Sequence, residues 1–149
     1  MDNDDVISTL NKLIETSKDG EEGFKTCAEN ASDPQLQAFF FNRAQTCTTA
    51  VIELQRLVRA HGGDPENRGD FGGALHRRWV DIKGLVTGKD DKAVLKECER
   101  GEDVAVTSYR NALEKDLPPD VRSVVEKQYR GVQKNHDEVK NLRDRYRSA

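Results

Sequence analysis

Glu102, His136 and Glu21 are the residues of this chain whose types and places could do chemistry together. Carboxylates and an imidazole facing one interior would hold a transition metal, iron or manganese. Helical bundles that bind two such ions take a Glu from each of two helices and a Glu-x-x-His pair from each of the other two. Gln133-Lys134-Asn135-His136 keeps that spacing, but a neutral amide stands where the carboxylate would offset metal charge. Asn42 to Val51 offers only amide, thiol, hydroxyl and apolar groups beside Arg43. The set therefore suits one weak site at most. The plain alternative is a buried Glu102–His136 hydrogen-bonded pair that satisfies both groups and fixes helix register.

Little else in the chain is arranged for catalysis. His61, His76 and His136 are scattered, with no evident partner serine. The stretch from Gly69 to Gly73 is glycine-rich but matches neither a phosphate loop nor a dinucleotide fingerprint. Cys27, Cys47 and Cys98 form an odd set without paired spacing, which suits a reducing compartment, and each falls on an apolar helical stripe as a small core residue would. Trp79 with Arg77 and Arg78 is an aromatic and cationic cluster that could anchor a partner protein or a dimer contact. Packing of Trp79 into the core is the competing reading.

The elements that must position these groups are four amphipathic helices. In the first segment Val6, Leu10, Leu13, Ile14, Phe24, Cys27 and Ala28 recur at three- and four-residue steps. Asp33 then serves as a cap and Pro34 as a first helical residue, where its missing N–H costs nothing. The next stripe runs through Phe40, Ala44, Cys47, Val51, Leu54 and Val58, and His61-Gly62-Gly63 stops it. A third runs from Val94 through Cys98, Glu102, Ala105 and Tyr109 to Leu113. A fourth runs from Val121 through Val132, His136 and Val139 to Tyr146. These readings predict helices over about 4–30, 34–61, 90–115 and 119–147, with no strands, in one domain spanning 1–149.

Connections of about five residues make each sequential pair an antiparallel hairpin. Residues 62–89 form a far longer link that contains a shorter helical stretch from Ala74 to Val86. Two helical hairpins joined by one long crossover give an all-α, ferritin-like four-helix bundle. A crossover that folds back locally is the alternative connectivity.

Composition agrees with an interior-facing stripe on an otherwise charged surface, since 35% of residues are hydrophobic and 34% charged. The net charge of -3 gives no general attraction to nucleic acid, and no run of roughly 20 apolar residues would cross a membrane. The acidic start, Met1 to Asp5, is unlike a secretion signal, so a cytoplasmic location is expected.

The stretches Lys18–Phe24, Gly72–Trp79, Glu97–Asp103 and Gln133–Asp137 resemble those of a bacterial, rubrerythrin-related, ferritin-like four-helix-bundle family catalogued as a domain of unknown function. That resemblance covers nearly the whole chain. It implies the bundle fold and supplies no catalytic residue. Complete stripes beside an incomplete ligand set lead to the expectation of a non-enzymatic structural or interaction protein, homodimeric and without a cofactor. The second expectation is a divergent iron- or manganese-binding oxidoreductase or metal store using Glu102, His136 and Glu21.

Overall fold

The computed structural model describes residues 1–65 and 90–148. Within them the chain forms four helices, α1 (Asn3–Asn30), α2 (Pro34–Ala60), α3 (Asp91–Leu113) and α4 (Pro119–Ser148), and no strand. The crossover helix expected from Ala74 to Val86 lies outside the described residues, as do Trp79, Arg77 and Arg78.

Local chemistry sets the helix starts. Asp2, Asp33 and Asp90 cap α1, α2 and α3 by accepting from the backbone N–H groups of Asp5, Gln35 and Lys92. Such caps satisfy donors that the first helical turn leaves free. Pro34 occupies the first turn of α2. Gly62 ends α2 with a φ of +81°, a left-handed conformation that a side chain would disfavour.

Hydrogen bonds across the helix ends reveal the topology. At one end the Asp91 carboxylate accepts from the backbone N–H groups of Ser32 (2.7 Å) and Asp33 (3.1 Å), while the Tyr146 hydroxyl donates to Asp33 (2.7 Å). The α1–α2 turn, the start of α3 and the end of α4 therefore meet. At the opposite end the Asn3 amide donates to the His61 carbonyl (2.8 Å), and His61 Nε2 bonds the Asp120 carboxylate (2.9 Å). The chain thus leaves α2 at one end and enters α3 at the other, so a single lengthwise crossover joins two antiparallel hairpins. The local fold-back weighed from loop length is not the arrangement.

The apolar stripes meet in two clusters, one toward each end. Phe24, Leu36, Phe40, Ala44, Val94, Leu95 and Val139 belong to the first. Leu10, Leu13, Ile14, Leu54, Val58, Val121 and Val125 belong to the second. Cys27 on α1 and Cys98 on α3 stand sulfur to sulfur within the first cluster, while Cys47 is a buried free thiol. All three cysteines are buried core residues, as their places on the apolar stripes implied. Helix α1 packs on α2 and α3, and α4 packs on α3; the seam between α2 and α4 is the slightest contact.

Candidate functional site

Between the two apolar clusters the bundle interior turns polar. Glu102 projects there from α3 and is 1% exposed. Its Oε1 accepts from Arg43 Nε of α2 at 3.3 Å and from Asn135 Nδ2 of α4 at 2.9 Å. Its Oε2 has no hydrogen-bond partner. The Arg43 guanidinium, also buried, lies 5.4 Å from the centre of the Phe24 ring, over its aromatic electrons.

A second polar chain adjoins this pair. The Tyr109 hydroxyl lies 3.2 Å from Ser17 Oγ and donates to Gln128 Oε1 at 2.8 Å. Gln128 Nε2 in turn donates to the Ala50 carbonyl and to Glu53 Oε1, both at 3.3 Å. All four helices contribute, which fixes their mutual register through donors and acceptors that must match.

Burial dominates the electrostatics. It raises the Glu102 carboxyl above its ordinary value, against the opposing pull of Arg43 and Asn135. It pushes the Cys47 thiol up to about 11 and the Tyr109 phenol up to about 12. Both are therefore neutral at physiological pH. A nucleophilic cysteine needs the opposite, a lowered value that supplies thiolate.

The structure separates the residues that sequence spacing grouped. Glu102 lies at the centre. His136 instead turns to the Asp103 carboxylate through Nε2 and to Asp137 through Nδ1, with its side chain 23% exposed. Glu21 pairs with Lys25, four residues on along α1, at 3.0 Å. The expected Glu102–His136 hydrogen bond is thus replaced by Glu102 with Arg43 and Asn135. Sequence reasoning passed over Arg43, although its place three residues after Phe40 put it on the inward side of α2.

The Arg43 guanidinium counters the charge of Glu102, the carboxylate expected to serve as a ligand. Among the described residues there is no group of three or more His, Cys, Asp or Glu that could hold a metal ion.

A cavity of about 270 Å³ reaches this midsection, lined by Phe24, Arg43, Ala50, Glu102 and Tyr109 within and by Thr46, Lys127 and Gly131 toward the α2–α4 seam. The surface of α2 beside that seam is unusual in composition. From Pro34 to Ile52 the only charged residue is Arg43, which is buried, and both Phe41 and Ile52 are 52% exposed. No helix among the described residues is long and apolar enough to cross a membrane.

Comparisons with known proteins place this geometry in context. Residues 5–115 match a domain family described as Domain of unknown function (DUF2383). No curated protein matches significantly. Among solved structures, the chain is similar to a two-domain protein from Anabaena variabilis containing DJ-1/ThiJ/PfpI-like and ferritin-like domains, with a TM-score of 0.80 at 15% identity. The alignment covers 98% of this chain and 41% of that one, so the likeness is one of fold.

Proposed function

The chain belongs to the DUF2383 family, and within its ferritin-like scaffold we propose a non-enzymatic interaction module that pairs with a second copy of itself through α2. The observation that carries this reading is the charge-free stretch of α2's outer face from Pro34 to Ile52. In a chain with 34% charged residues, the nineteen positions from Pro34 to Ile52 present no charge to solvent. Cores of protein interfaces are depleted of charge and enriched in aromatic residues. Phe41 and Ile52 lie three helical turns apart on nearly the same line of the helix, with Thr48 and Gln45 between them. A neutral face suits self-association, because a two-fold axis brings each residue near its own copy without like-charge repulsion.

The polar midsection supports the non-enzymatic part of the reading. Its carboxylate is engaged by Arg43, and its thiol and phenol are held neutral. No nucleophile activated by a base is formed by these groups.

Light scattering on the purified protein tests the proposal. The wild type is expected to weigh two chains, and Phe41→Asp with Ile52→Asp to weigh one while keeping the same helical circular dichroism. A wild type that remains strictly monomeric at high concentration overturns it.

A further inference from the structure

Self-association through α2 leaves open how the two copies lie against each other, and the spacing of exposed residues along that helix bears on it. Pro34, Phe41, Gln45, Thr48, Ile52 and Arg59 are all exposed and fall within about 60° of one another around the helix, at roughly 100° per residue. Their steps of seven, four, three, four and seven read the same in both directions. We propose, building on that self-association, that the two copies of α2 run antiparallel about a two-fold axis between Gln45 and Thr48. Phe41 then packs on the partner's Ile52, Gln45 meets the partner's Thr48, and Pro34 stands beside the partner's Arg59.

Charge favours this direction over the parallel one. In a parallel pair the exposed Arg56 and Arg59 would each stand beside its own copy, and like charges repel. In each chain Asp33 and Asp91 place carboxylates at the α1–α2 turn, and the antiparallel arrangement brings the partner's Arg59 to that turn. It also sets the positive end of one helix dipole against the negative end of the other. Near the axis the Thr48 hydroxyl donates to the Ala44 carbonyl at 3.2 Å, which leaves its oxygen to accept from the partner's Gln45 amide. On either side of the axis an aromatic ring meets an aliphatic branch, the kind of contact that interface cores favour.

Spin labels read the direction. The three native cysteines are buried, so a label attaches at an introduced Gln45→Cys or Arg59→Cys on the exposed stripe. Double electron–electron resonance on the full chain is expected to give less than about 20 Å between the two labels at position 45 and about 40 Å between those at position 59. Those sites lie roughly three and twenty-five residues from their own copies along antiparallel axes, at about 1.5 Å per residue. Arg59→Glu is expected to weaken the dimer about threefold or more in a dilution series followed by light scattering, by setting a carboxylate beside the partner's Asp33. Short distances at both positions, a long distance at position 45, or a dimer tightened by Arg59→Glu would each overturn the helix direction while leaving self-association in place. A monomeric wild type overturns both readings.

Discussion

The two ends of the bundle and its middle are built on different principles. Toward the ends, Phe40 and Leu95 in one cluster and Leu10, Ile14 and Leu54 in the other fill the interior with apolar side chains, with polar bonds tying the helix termini around them. In the middle, four helices meet through Arg43, Glu102, Asn135, Ser17, Tyr109 and Gln128, around a cavity. Apolar burial stabilises without regard to direction, whereas buried polar groups stabilise little and tolerate only matching partners. The ends hold the bundle together, and the middle determines how its helices align.

The sharpest way to break this contrast is to truncate each region. Phe40→Ala should lose about 3–5 kcal/mol of stability in chemical denaturation, because a fully buried aromatic leaves a cavity that neighbours cannot close. Arg43→Leu should cost about 3 kcal/mol, since it strands the Glu102 carboxylate. Adding Glu102→Leu to Arg43→Leu should restore stability to near or above the wild type, as replacement of a whole buried ion pair often does. No second substitution at an apolar end should rescue Phe40→Ala in that way.

Alkaline titration probes the middle more gently. Cys47 and Tyr109 have folded values raised to about 11 and about 12, above the ordinary 9.0 and 10.0. The folded state therefore holds these protons more tightly than the unfolded chain does. The stability they contribute is complete below about pH 9 and is lost as pH rises toward 11 to 12. Cys47→Ala with Tyr109→Phe should shift the alkaline midpoint upward. At the small end of the scale, His136→Ala should change stability by less than about 0.5 kcal/mol, since its partner Asp103 is a surface residue.

The sequence made the helices legible and left the centre ambiguous, for one physical reason. Apolar stripes and the caps at Asp33, Pro34 and Asp90 located every described helix to within two residues of its observed ends. A seven-residue step on a helix, however, can divide as three plus four or four plus three. Between Val132 and Val139 the stripe could pass through Asn135 or His136, and the fold turns Asn135 inward. Between Ser17 and Phe24 it could pass through Gly20 or Glu21, and Gly20 approaches Cys47. Each choice moves a side chain by about 100° around the axis, enough to exchange an interior ligand for a surface ion pair.

The approach of Cys27 to Cys98 could not be seen in the sequence for a different reason. Cys27 and Cys98 are 71 residues apart on different helices, and only the packing of α1 on α3 brings them together. The charge-free run on α2 was visible in the sequence. Its meaning depended on knowing which of its residues face solvent.

Metal analysis after exposure of the purified protein to iron or manganese tests the central claim, that an arginine–carboxylate pair stands where this fold could hold ions. The account predicts metal far below one ion per chain, with no change in Glu102→Ala. Stoichiometric metal that is lost in Glu102→Ala would contradict it.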